Sequence, residues 1–282
     1  MKKIVQMVSL LLFAVIILGL ITVQTNRSCS LPVLMYHHFV DEATADTCVT
    51  PETFSKQLTA LKNAGFSTVT LDQMMNYVTW GIPLPEKPVL ITMDDGYVSN
   101  ISDAAPILEE LDMCATVFVI GIYEGKEINS RTGNKLYPER LSYEEASPWV
   151  EKGVLDLQCH SFDMHQLERD GFSGRNGMLK LQNEDTDTYR AALQDDIHQF
   201  RQRRNGRVST PLTALAYPYG YYTQELDSVL QKEGIDITFT IEAKCSKLRV
   251  WDSSSLRMLG RYNVTDYWNP DDLVALLEQV YR

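Results

Sequence analysis

An even count of cysteines, basic tracts and internal repeats are what this chain does without. Its cysteines number five, at Cys29, Cys48, Cys114, Cys159 and Cys245. An odd count with no CxxC spacing excludes a cysteine-built metal site and leaves at least one thiol unpaired. A Cys29–Cys48 bridge stays open, while Cys114 and Cys159 lie in apolar, strand-like runs and read as small buried residues. No basic stripe forms among the 26 Lys and Arg, which face 37 Asp and Glu for a formal net charge of −11. Nucleic acid is therefore excluded as a natural partner. An acidic surface repels anionic polymers and tolerates neutral or cationic ones. Low-complexity tracts are absent as well, and histidine is scarce, with five in 282 residues.

Long hydrophobic runs are also lacking, with one exception. Ile4 to Val23 is apolar with little interruption beyond Gln6 and Ser9, behind Lys2 and Lys3. About 20 such residues span a bilayer, and the leading lysines place the start of the chain inside and the remainder outside. No small-x-small cleavage site follows, so an uncleaved anchor is expected over a cleaved signal peptide. The residues before Cys29, "TNRS", do not fit a lipoprotein site. Residues 1–29 thus read as a signal anchor or signal peptide, and residues 30–282 as one extracytoplasmic catalytic domain, held at the cell membrane or secreted. About 250 residues suit a single large α/β domain.

Past that segment, short apolar runs alternate with helical patterns. Strands are expected at 31–39, 66–71, 87–93, 115–121, 154–160, 213–220, 235–242 and 255–262. Between them, "TPETFSKQLTALKNAG" carries a Thr50 cap, Pro51 in its first turn and a closing Gly65. "SYEEASPWVEKG" carries the capping-box spacing Ser142–Glu145. Asn269 and Pro270 open the last helix. About eight such alternations predict a parallel sheet closed into a barrel, with its chemistry at the C-terminal ends of the strands.

That rim collects the polar residues. His37 and His38 end the first strand, Asp94 and Asp95 the third, His160 the fifth with His165 after it, "YPYG" the sixth and Arg261 the eighth. Only His198, within a helix, falls elsewhere, as an ordinary surface histidine. Taken singly, "DDG" could be a turn, "HSFDMH" a solvated loop and "YPYG" a bend. One barrel geometry brings all of them to one face. Two histidines and a carboxylate suit a borderline divalent ion, commonly zinc. A second carboxylate can then be a general base, a histidine across the site an acid, and a turn N–H an oxyanion donor. The set describes metal-assisted hydrolysis of an amide or ester.

These motifs are similar to those of the polysaccharide deacetylases, the carbohydrate esterase family 4 or NodB-homology domain. "TMDDG" (92–96) resembles TFDDG, "HSFDMH" the metal-binding H-[ST]-x-x-H motif, and "AYPYG" the R-x-P-Y-G motif. The resemblance covers most of the chain after residue 31 and implies an irregular (β/α) barrel of seven or eight strands. It implies Asp94 as catalytic base, Asp95, His160 and His165 as metal ligands, and Tyr219 as oxyanion donor through its backbone N–H. Three departures stand out: histidines five apart instead of four, Ala216 where the motif has arginine, and no late strand to supply an acid histidine. They resemble the circularly permuted branch that includes the poly-N-acetylglucosamine deacetylases, in which an early strand supplies the acid. His37 is then the expected acid, with His38 the alternative, and Arg261 the candidate for the missing arginine.

The resemblance implies a monomeric, membrane-anchored, metal-dependent de-N-acetylase acting outside the cell on an N-acetylglucosamine polymer. Peptidoglycan deacetylation and O-acetyl-xylan esterase action are the next readings. A non-catalytic carbohydrate-binding protein on the same fold is the reading of another class, and it would fit better had a site residue been lost. A phosphotransfer role for Asp94 or Asp95 has no use for the histidines. Trp251 and Trp268 are open to stacking on sugar rings or to core packing.

Overall fold

Residues 27–281 are described by the computed structural model of the chain, and residues 1–26, with the expected anchor, lie outside them. The expected alternation appears as eight strands: β1 (Val33–Tyr36), β2 (Phe66–Thr68), β3 (Lys87–Met93), β4 (Ala115–Val119), β5 (Leu155–Cys159), β6 (Ala214–Ala216), β7 (Ile237–Phe239) and β8 (Tyr262–Asn263). They form one sheet in the order β7-β6-β5-β4-β3-β1-β8, with β2 beside the first half of β3. Every pairing within it is parallel. A single parallel bridge from Phe239 to Leu259 brings β7 to the segment leading into β8. The sheet is therefore strongly curled, a half-barrel whose two edges approach each other.

Period-two alternation sorts the strand residues into two cores. Leu34, Tyr36, Ile91, Met93, Val117 and Val119 join the cluster formed with the surrounding helices. Val33, Leu90, Phe118, Ala214, Ala216 and Phe239 join a second cluster, with Leu248 and Leu259. Because both faces are covered, the strands read as near-continuous apolar runs.

The helices are α1 (Pro51–Asn63), α2 (Leu71–Trp80), α3 (Ala105–Glu110), α4 (Tyr143–Glu151), α5 (Thr186–Arg204), α6 (Gln224–Lys232) and α7 (Pro270–Gln279). Their caps are the ones the sequence suggests: Thr50 accepts from the Thr53 N–H, Ser142 and Glu145 form a reciprocal box, and Asn269 accepts from Asp271. Ahead of α3 the chain makes a wide turn at Asn100–Ala104, with Ala105 N–H bonded to Asn100 O. Pro106 explains it, since it has no N–H to donate to Ser102 and the turn must widen around it.

Several expectations need correction. Ahead of the boundary expected at residue 30, Ser28–Leu31 forms a strand antiparallel to Ser246–Arg249. The expected strand 31–39 is split: β1 stops at Tyr36, and His38–Phe39 pairs separately with Cys48–Val49. The expected eighth strand, 255–262, is broken up: Ser255 and Leu256 end a 3-10 turn (Ser253–Leu256), Met258 is left-handed (φ 53), Leu259 makes a single bridge, and the paired strand is only Tyr262–Asn263. All five thiols are free, Cys29 and Cys48 included; Cys159 is buried and Cys114 partly so.

One buried network fixes the late strands. Asp227 of α6 accepts from Tyr217 Oη, from Thr238 Oγ1 at 2.9 Å, and from Arg257 Nη2 and Nε at 2.6 and 3.0 Å. Removing one partner of a buried ion pair strands the other charge. We predict that Asp227→Ala destabilises the fold by about 3–5 kcal/mol, measured as a lowered urea midpoint. A midpoint within error of the parent would show that the network contributes little.

Candidate active site

The site is built where the chain leaves β1, β3, β5 and β6. Along β3, Leu90, Thr92 and Asp94 alternate to one side, so the Asp94 carboxylate points inward. A continuing strand would send Asp95 outward. Instead Asp95 takes the left-handed conformation (φ 72) and Gly96 follows at φ 66. The turn brings both carboxylates round one imidazole: His160 Nε2 lies 3.9 Å from Asp94 Oδ2 and 3.6 Å from Asp95 Oδ1.

The surroundings of the two acids differ. Asp94 is gripped at both oxygens by Arg261, Nη1 to Oδ1 at 2.7 Å and Nη2 to Oδ2 at 2.8 Å. Arg261 is fully buried, and its remaining donors reach Thr240 O at 2.9 Å and Thr92 Oγ1 at 3.3 Å. It was expected at the end of the eighth strand and stands one residue ahead of the observed β8. Burial pushes the Asp94 carboxyl up, but Arg261 and His160 outweigh it and hold it below its ordinary range. Asp95 accepts from Tyr97 Oη at 2.8 Å and faces His165 Nε2 at 3.3 Å. There too burial acts upward, and His165, His160 and Arg140 together hold the carboxyl well below the usual carboxylate range.

Asp95, His160 and His165 bring their ligand atoms within 4.8 Å of one another. His160 Nδ1 lies 2.8 Å from Ala216 O and donates to it, which leaves the Nε2 lone pair facing the carboxylates. Burial pushes His165 down to about 4, against the pull of Asp95, so its ring is neutral at neutral pH. Two imidazoles and one carboxylate held ionised fit a borderline divalent cation.

His37 and His38 separate clearly. His37 Nε2 lies 3.9 Å from Asp94 Oδ2, and its buried Nδ1 has no partner among the described residues. Burial lowers its pKa in spite of Asp94 and Asp95. The His38 ring instead lies 4.6 Å from that of Tyr97, and its backbone pairs with Cys48. Tyr219 follows β6 in a left-handed turn (φ 57) with its ring 4.4 Å from His165. His198 is exposed on α5 and meets Glu233 at 3.1 Å. Trp268 packs half-buried on the core and Trp251 lies beside α2, where its N–H donates to Val78 O.

The five-residue histidine spacing has its own support. Ser161 is left-handed (φ 68), and buried Asp196 of α5 accepts the Phe162 and Asp163 N–H groups at 2.7 and 2.8 Å. Phe162 O accepts from Ile122 N–H at 2.8 Å, and Phe162 also packs on Gly121, where a Cβ would sit 2.7 Å from its ring. Tyr97, Arg140 and Asp196 were not among the expected site residues. Arg140 lies over the Tyr97 ring at 3.9 Å and has no sequence signal. Asp196 has one, for it falls on the apolar stripe of Tyr189, Leu193, Ile197 and Phe200.

Residues 81–238 match the family profile described as polysaccharide deacetylase. The chain belongs to the polysaccharide deacetylase family. YxkH of Bacillus subtilis, whose name marks its deacetylase assignment as provisional, is 28% identical over 78% of this chain and 67% of its own. The poly-β-1,6-N-acetyl-D-glucosamine N-deacetylase of Staphylococcus epidermidis is 26% identical over 70% of this chain, which spans 62% of that relative. IcaB from Ammonifex degensii superposes with a TM-score of 0.70 over 90% of this chain and 97% of its own, at 24% identity, a likeness of fold. Like its family, this deacetylase is a hydrolase.

Two predictions follow from the geometry. In Arg261→Met, burial would act on Asp94 without its main opponent, so the carboxyl would protonate at higher pH. The acid limb of the pH–rate profile should move upward, and an unmoved limb would show that Arg261 does not hold Asp94 ionised. Asp196→Ala should weaken divalent-cation binding at Asp95, His160 and His165 about 10–100-fold, as loss of outer-shell support does. Competition with a chromophoric chelator reads this, and unchanged affinity would mean that the loop holds its shape without Asp196.

Proposed function

We propose that this deacetylase removes N-acetyl groups from an extracellular N-acetylglucosamine polymer, with a poly-β-1,6-linked chain as the first candidate. The observation that carries the reading is the division between adjacent acids, with Asp94 locked by Arg261 and Asp95 turned toward His160 and His165. The named activity of the Staphylococcus relative supports the choice of polymer. We read the curled sheet as the irregular seven- to eight-stranded barrel implied by the motifs, and the site as extracytoplasmic.

Asp95, His160 and His165 would hold the divalent ion, most simply zinc, which supplies Lewis acidity toward the acetyl carbonyl and lowers the pKa of water. Asp94 accepts the proton of the attacking water. Arg261 fixes both of its oxygens in one orientation, so Asp94 is a positioned base and a modest one. The backbone N–H of Tyr219 donates to the oxygen that gains charge on the acetyl carbon. As the C–N bond breaks, His37 donates a proton to the departing nitrogen, and burial makes its imidazolium a stronger acid. Acetate leaves, and the sugar keeps a free amine. The polymer becomes cationic, and the chain's net charge of −11 does not repel it.

Acetate release from N-acetylglucosamine oligomers should stop on chelation and return with zinc. Asp94→Asn should lower it about 10²–10⁴-fold with zinc stoichiometry unchanged. Near-normal turnover in that variant would remove Asp94 from the role of base.

A further inference from the structure

The end of the domain opposite the catalytic rim carries an exposed aromatic patch. Trp80, the last residue of α2, is 70% exposed, Ile82 beyond it 54%, and Trp251 48%. The patch is compact, because the Trp251 N–H donates to Val78 O and so sits one turn from Trp80. It also lies where the chain enters the fold. Val250 N–H donates to Arg27 O at 3.2 Å, and Ser28 pairs with Arg249. Two large indoles left in water at one spot are unusual for a free surface, since each has a broad apolar body with one polar edge.

Sequence length fixes how far this patch can stand from residues 4–23. Gln24 to Arg27 is all that separates Val23 from Ser28. Fully extended, the five steps from Val23 to Ser28 reach about 18 Å. Headgroup layers add roughly 5–8 Å on each side of a hydrocarbon core of about 30 Å. If the apolar run spans a bilayer, Ser28 cannot leave the immediate neighbourhood of its surface. The residues beside it, Arg27, Trp80, Trp251 and the exposed Lys247 and Arg249, combine indoles with cations, as membrane-interface anchors do. Of the acids here, Asp252 is taken up by Arg249 at 3.2 Å, and Glu86 is exposed in the loop that carries Ile82.

We infer that the face bearing Trp80, Ile82 and Trp251 rests on the lipid surface, with its indoles in the headgroup layer and the catalytic rim turned away from the membrane. The inference rests on reading residues 4–23 as an anchor. It does not depend on the polymer.

The test uses the full chain in phosphatidylcholine–phosphatidylglycerol vesicles with lipids brominated near the glycerol end of the acyl chain. Bromine quenches indoles on contact. Flotation with the vesicles and quenching of tryptophan emission are expected. In Trp80→Phe/Trp251→Phe the quenched component should be lost, while flotation and acetate release from soluble oligomers stay at the parent level. Flotation with equal quenching in parent and variant, or with none in either, would overturn the inference and leave the anchor standing. Failure to float would overturn both. Unquenched indoles together with cross-linked dimers through this face would assign the patch to a second copy of the chain.

Discussion

A guanidinium without solvent contact, bound at both donors to a carboxylate at the end of β3, is what the rest of the site depends on. Placing Arg261 in the interior is costly unless every donor finds a partner. Here Asp94, Thr92 and Thr240 supply them, with the Phe118 ring alongside at 5.7 Å. The pair joins the segment before β8 to β3 across the interior of the curled sheet. The Arg261 fork on Asp94 fixes the ionisation and direction of the base, and its Nε–H on Thr240 O, just past β7, ties the two edges of the sheet together. A lysine could not replace it, since a single ammonium cannot hold both carboxylate oxygens in a planar fork.

The same pair explains how two neighbouring acids can carry different tasks. In a regular strand they would face opposite ways and never meet the same histidine. The left-handed turn at Asp95 undoes that alternation. Each carboxylate then acquires its own partners: a permanent cation for Asp94, and for Asp95 a tyrosine hydroxyl and two imidazoles. An acid held by arginine stays ionised yet keeps lone pairs free for a proton. The acid facing two imidazoles is arranged to share its charge with a cation between them.

Much of this was legible in the chain because it depends on short-range rules. Helix caps, strand runs and the rim clustering of His37, Asp94, Asp95, His160 and His165 follow from local chemistry and strand-end geometry. Arg261 was legible as a candidate, though not as a fully buried pair. What escaped depends on contacts distant in sequence. The pairing of Ser28–Leu31 with Ser246–Arg249 joins segments more than two hundred residues apart, and neither alone looks like a sheet edge. Arg140 reaches the site through the Tyr97 ring, which no local pattern encodes. Asp196 could have been found as an acid on an apolar helical stripe, and its purpose appears only with the loop it holds. The break after Tyr36 was hidden because "MYHHF" has strand propensity throughout, and only the pairing partner changes.

Where the chain enters the fold also bears on what the site can do. At about 3.3 Å per residue, the seven steps of β3 from Lys87 to Asp94 lift the rim about 23 Å above the end of the sheet near Trp80 and Trp251. Charged lipids act over a Debye length of about 8 Å at physiological ionic strength. With that face on the membrane, the rim lies several screening lengths out. Deacetylation creates amines that an anionic surface would otherwise capture. At that distance the growing charge of the product is set against the acidic domain alone, and the polymer can slide across the site without being drawn onto the bilayer.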